Sequence, residues 1–131
     1  MSAALTAALS VALGGALGAL ARYGTALVVT RQLGAESHWA TAAANLLGCA
    51  AIGAAVAWLD QREVGSAELR LLLVVGFLGA FTTFSTYALE ALRLMDASRV
   101  GAALLALVLQ PALGLLLVLG TRSLVASWLA D

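Results

Sequence analysis

Four of the five residues at positions 82–86 carry hydroxyls (Thr82, Thr83, Ser85 and Thr86), in a stretch that reads Gly-Phe-Leu-Gly-Ala-Phe-Thr-Thr-Phe-Ser-Thr-Tyr from position 76. The surrounding composition places this stretch where a lipid-facing helix would be purely apolar. Polar groups at membrane depth are costly unless they face protein, water or a permeating solute. Hydroxyls can stand in for water around a small ion, so the stretch predicts a helix that breaks or lines a path. Phe77, Phe81 and Phe84 follow i, i+4, i+7 spacing and are expected on one helix face. Such a stripe is usually packing, yet ring edges are electropositive and could also hold an anion.

Other polar residues sit at similar depth. Thr41 and Asn45 are four apart and share a helix face. The Asn45 amide offers two donors and an acceptor, suited to lining a path or to gluing helices together. Arg22, followed by Tyr23, lies about two turns from the expected end of the first apolar run; it either snorkels to the interface or fixes a positive charge at a vestibule. Glu90 is expected to close the third helix, where it could simply be a solvated end residue. His38 falls in a loop beside Trp39. No metal-ligand cluster, nucleophile–base pair or phosphate-cradling loop is visible, and the chain is not read as an enzyme.

These residues need apolar elements to hold them. The 131-residue chain is 63% hydrophobic, with a mean hydropathy of +1.01. Four apolar runs stand out, at about 5–29, 39–59, 69–89 and 100–118, the last continuing toward 129. Each has the roughly 20 residues needed to cross a 30 Å hydrocarbon core. The expected fold is an all-α membrane protein, one four-helix transmembrane domain over residues 1–131, multi-pass in the cell membrane with the lipid bilayer as solvent. The first run lacks a basic leader and is too long for a signal-peptide core, so it is read as a retained helix. Trp39, Trp58 and Trp128 fall near expected helix ends, where interfacial anchoring explains them. Glycines inside the runs let helix backbones approach closely. Pro111 removes one backbone bond from the fourth helix and should kink it slightly. Cys49 is the single cysteine, so no intrachain disulfide can form.

Formal net charge is zero, which gives no basic patch for nucleic acid. The cations are all arginines. With four crossings, Arg62, Arg70 and Arg122 fall on one side and Arg31, Arg93 and Arg99 on the other, three against three, with Arg22 inside the first helix. Orientation follows the Lys/Arg bias of short loops. A balanced count therefore predicts insertion both ways, or an orientation imposed by a partner, and its natural consequence is an antiparallel dimer.

Three motifs occur in order: Gly14-Gly15-x-x-Gly18-Ala19-x-x-Arg22-Tyr23, Thr41-x-x-x-Asn45-Leu-Leu-Gly48, and Gly76-Phe77-x-Gly79-x-x-Thr82-Thr83-Phe84-Ser85-Thr86-Tyr87-x-x-Glu90. With them, nearly the whole chain resembles the CrcB/Fluc family of small fluoride channels. The resemblance implies an antiparallel, dual-topology homodimer with two pores and a broken third helix, passively exporting fluoride and so lowering its toxicity. It implies pore residues Asn45, Phe84, Ser85, Thr86 and Tyr87, flanked by Thr41 and Glu90, with Arg22 as vestibule cation. It also implies a structural Na⁺ at the dimer centre, held by backbone carbonyls of Gly79 and Thr82. Two features depart from the family. Tyr87 stands where Phe is usual, and Ala106 and Gln110 replace a Tyr-x-x-x-Ser track on the fourth helix. A heterodimer with a second family member, in which one pore conducts, is the corresponding alternative. The rival classes are a small multidrug/proton antiporter, which needs a titratable carboxylate deep in a helix, and a non-transporting assembly subunit.

Overall fold

The computed structural model describes residues 2–32, 34, 36–61 and 67–130. Among them are four helical spans long and apolar enough to cross a membrane: Ala3–Gln32, Ser37–Asp60, Ala67–Asp96 and Val100–Ala130. Without water, each backbone polar group must find a partner inside the protein, which selects helices. The first helix, Ala3–Leu27, starts on Ser2, whose side chain accepts from Leu5 N, and widens into π turns at Val28–Gln32. The second helix covers Ser37–Gln61. The third span has two halves. An N-terminal half joins Ala67–Arg70, a π-helical stretch at Leu71–Leu78, and Gly79–Phe81. A C-terminal half covers Phe84–Asp96.

The third span thus runs about two turns beyond the apolar run that marks it in the sequence. Glu90 and Arg93, expected in or beside a loop, are helical, and the connection shrinks to residues 97–99. The closure there is a helix-capping turn: Ser98 adopts a left-handed φ of 59°, while Ser98 N donates to Met95 O and Arg99 N to Leu94 O. The fourth helix runs unbroken through Pro111 to Ala130, 31 residues or roughly 46 Å, so its ends extend past a 30 Å core. Of the arginines in the charge comparison, Arg62 lies outside the described residues. Arg70 Nη2 meets Asp60 Oδ1 at 2.6 Å, tying the second helix to the start of the third span.

Small residues set the packing, as expected where lipid removes the hydrophobic drive between helices. The first helix lies against the π-helical stretch so closely that a Cβ on Gly18 would strike the Phe77 carbonyl, and one on Gly14 the Leu72 carbonyl. The second and fourth helices meet through Gly53, facing Val118 and Thr121, and Gly114, facing Cys49. Thr121 Oγ1 also sits 2.9 Å from Ala50 O, a polar tie across that interface.

Candidate functional site

The site begins where the third span stops being helical. Thr82 (φ −88°, ψ 158°) and Thr83 (φ −151°, ψ 119°) are extended, a conformation that β-branched side chains accommodate easily. In a continuous helix, Thr83 N–H would donate to Gly79 O. It donates instead to Asn45 Oδ1 at 2.7 Å, while Asn45 Nδ2 donates to Thr83 O at 3.0 Å. One amide side chain of the second helix therefore satisfies both backbone groups of Thr83. Gly48, one turn further on, makes room for the Thr82 methyl. The Thr82 hydroxyl and N–H both turn back to Leu78 O, at 3.0 and 3.1 Å.

Two helix ends face this break. At the carbonyl end of the N-terminal half, Arg22 Nε donates to Ala80 O at 3.2 Å, a cation where the helix dipole is negative. At the other side, Thr83 caps the C-terminal half, its Oγ1 accepting from Thr86 N at 3.3 Å. Thr83 Oγ1 also donates to Thr86 Oγ1 at 3.1 Å and lies 3.3 Å from Ser85 Oγ. Three hydroxyls thus cluster on a helix N-terminus, where N–H groups and dipole favour negative charge.

A polar seam leads away from the cluster. Ser37, Thr41 and Asn45 recur every four residues along the second helix, facing the antiparallel C-terminal half. Thr41 is buried, 9% exposed. Glu90, 8% exposed, accepts from Ser37 Oγ at 3.1 Å on both carboxylate oxygens and from Arg93 Nη1 at 3.1 Å. It is therefore a buried, paired carboxylate and not a solvated helix end. Ser37 escaped the sequence reading, although its spacing from Thr41 and Asn45 carries the signal.

The aromatic stripe does not survive the break. Phe77 and Phe81 stack, centroids 6.0 Å apart and planes 12° off parallel, but the two extended residues throw Phe84 out of phase. Phe84 is 80% exposed on the single chain and meets Tyr87 instead, at 5.8 Å and 47°. Ser85 and Gly79 are exposed as well, and Thr86 and Thr82 half-buried. Tyr87 is 7% exposed, and its hydroxyl donates to Leu107 O at 2.9 Å. Asn45, Thr83, Phe84, Tyr87 and Gln110 line a cavity of about 550 Å³ between the second, third and fourth spans. A second cavity of about 350 Å³, reaching toward His38 and Arg99, shares Leu46 and Gln110 with it. The structure thus joins Asn45, Phe84 and Tyr87 around one cavity whose lining also includes Thr82 and Gly79, while Arg22 approaches the same break from the first helix.

Known proteins place the chain. Residues 9–121 match the family model described as CrcB-like protein, Camphor Resistance (CrcB). The chain is similar to a protein of Hahella chejuensis named fluoride-specific ion channel FluC, 49% identical over 89 residues, covering 68% of this chain and 70% of the relative. Proteins of the same name from Salinibacter ruber and Acidobacterium capsulatum are each 44% identical; the first covers 82% of this chain and 80% of its own length, the second 82% and 86%. A family model matching residues 9–121, and so reaching into all four membrane-spanning helices, leaves one conclusion: this multi-pass membrane protein belongs to the CrcB family.

Proposed function

We propose that the chain forms a passive, fluoride-selective channel that exports fluoride from the cytoplasm. The observation that carries this reading is the Asn45–Thr83 clamp, which holds a helix N-terminus and three hydroxyls open at membrane depth. Fluoride keeps its hydration shell tightly, so a pore must offer donors in place of water while staying too narrow for larger anions. Asn45, Ser85 and Thr86 supply such donors, and the Phe84 and Tyr87 ring edges supply positive quadrupole ends. Thr41 and Glu90 flank that region along the seam, and Arg22 sets a fixed positive charge nearby. A membrane potential negative inside drives an anion outward with about 2.3 kcal/mol per 100 mV, so export needs no coupled reaction.

A dimer completes this site. Phe84 and Gly79 are exposed on one chain, which suits burial against a second copy. The balanced arginines favour an antiparallel homodimer, with the heterodimer as the alternative outcome. The Gly79 carbonyl, released because Thr83 N–H turns to Asn45, and the Thr82 carbonyl offer oxygen donors of the kind hard cations take. We assign them to a structural Na⁺ between the two copies, where it would hold the break open.

The antiporter reading requires a carboxylate free to exchange protons. Glu90 lies inside the helix and not at its end, but both its carboxylate oxygens accept from Ser37 and one also from Arg93, which leaves it tied to the protein. Efflux from liposomes read with a fluoride electrode tests the proposal. Fluoride release without chloride release is expected; exchange of a cationic drug for protons, or no release of either anion, rejects it.

A further inference from the structure

Pro111 and Tyr87 are twenty-four residues apart and on different spans, yet they answer the same backbone group. In the fourth helix the carbonyl of Leu107 would normally accept from the N–H of residue 111. Proline has none, and its ring crowds that carbonyl. At membrane depth an unpaired carbonyl must find another donor. The donor here is the Tyr87 hydroxyl, 2.9 Å from Leu107 O and 3.5 Å from Ala106 O, on a ring only 7% exposed.

Tyr87 and Pro111 both line the cavity that holds Asn45, Thr83, Phe84 and Gln110. We infer that Tyr87 and Pro111 act as one unit: the proline opens the Leu107 carbonyl, and the phenol closes it, fixing the wall of the conduction path. This rests on the reading of that cavity as an anion path. Tyr87 is in this respect a positioning residue. Its hydroxyl pins the fourth helix to the half-helix bearing Phe84, and its ring lies 5.8 Å from the Phe84 ring, centroid to centroid.

The two substitutions then have unequal and dependent effects. Tyr87→Phe keeps the ring but leaves Leu107 O without a donor. Pro111→Ala restores an N–H at residue 111, so Leu107 O no longer needs the phenol. In the full-length protein reconstituted in liposomes, Tyr87→Phe should slow fluoride efflux about tenfold and lower the thermal unfolding midpoint in detergent. The double variant should return both readouts to the level of Pro111→Ala alone, within about twofold in rate.

Tyr87→Phe at the wild-type rate and midpoint, or a defect equally large with Ala at position 111, overturns the coupling. A purely apolar packing role would leave Tyr87→Phe, which keeps the ring, indistinguishable from wild type in both readouts. If wild-type liposomes release no fluoride, the channel reading fails, and the unfolding midpoints of the same four proteins still decide whether the hydroxyl and the proline are coupled.

Discussion

Replacing Asn45 with Ala removes two hydrogen bonds to one residue, Thr83, at 2.7 and 3.0 Å. In water, leaving a buried backbone pair unsatisfied costs about 1–3 kcal/mol per group. Inside membranes, measured interhelical hydrogen bonds average about 0.6 kcal/mol and reach about 1.7, and this smaller scale applies here because the chain can rearrange to find other partners. Two bonds then contribute about 1–3 kcal/mol to the open break, a shift of about tenfold to a hundredfold in its population. The competing arrangement is specific: with Asn45 gone, Thr83 N–H can return to Gly79 O, rewinding the helix and rotating Phe84, Ser85 and Thr86 away. Fluoride efflux from liposomes should fall by about that factor, with assembly unchanged by size exclusion. Asn45→Asp keeps an acceptor for Thr83 N–H but loses the donor to Thr83 O and places negative charge in the path. It should conduct less than the Ala variant. Wild-type efflux in Asn45→Ala, together with an unchanged unfolding midpoint, would refute the clamp as the basis of the site.

Further outcomes follow from particular contacts. Phe84→Ala removes a ring that is 80% exposed on the single chain; efflux should drop at least about tenfold while the protein still elutes as the assembled species on size exclusion, and unchanged efflux would remove Phe84 from the pore. Gly18→Val drives a side chain into the Phe77 carbonyl and should abolish the folded species on size exclusion. Gly101→Ala, where a Cβ meets nothing within 4 Å, should leave the profile intact, and equal damage from both would discredit the glycine packing. If Gly79 and Thr82 carbonyls hold Na⁺, the unfolding midpoint should rise with the logarithm of sodium concentration when N-methylglucamine is the replacement cation. A midpoint indifferent to sodium rejects that assignment.

What could be read from residues alone follows from how local each feature is. Four helices are legible because crossing a hydrocarbon core demands some twenty apolar residues, and each run supplies them. The end of the third span is not. An apolar-run criterion stops at the first charge, whereas the helix continues because Glu90 finds Arg93 one turn on and Ser37 across the interface. The hydroxyl-rich stretch signals that something other than lipid packing happens at 82–86. Its geometry depends on Asn45, thirty-eight residues away, taking the place of Gly79 as the acceptor for Thr83 N–H. The Phe77–Phe81–Phe84 stripe misleads for the same reason, since helical spacing holds only while the helix is continuous.

Pro111 and Tyr87 mark the sharper boundary. That a proline at 111 orphans the carbonyl at 107 is arithmetic on the sequence, and that a tyrosine hydroxyl inside a membrane needs an acceptor is equally general. One residue creates a vacancy for a donor and the other brings a donor, so each makes sense of the other. Nothing local says that they meet, because Ser, Thr or water could have answered the carbonyl and several backbone oxygens could have received the phenol. The meeting is decided by the break at Thr82–Thr83, which sets the phase of the C-terminal half and so the direction of Tyr87. The clamp that opens the site therefore also aims the residue that closes the fourth helix. On this chain of dependence, Asn45→Ala should disturb the Tyr87–Leu107 contact along with the break, so adding Tyr87→Phe to Asn45→Ala should cost less stability than the two single losses summed. Strict additivity in that double-variant cycle would separate the two devices and show that Tyr87 is aimed by something other than the clamp.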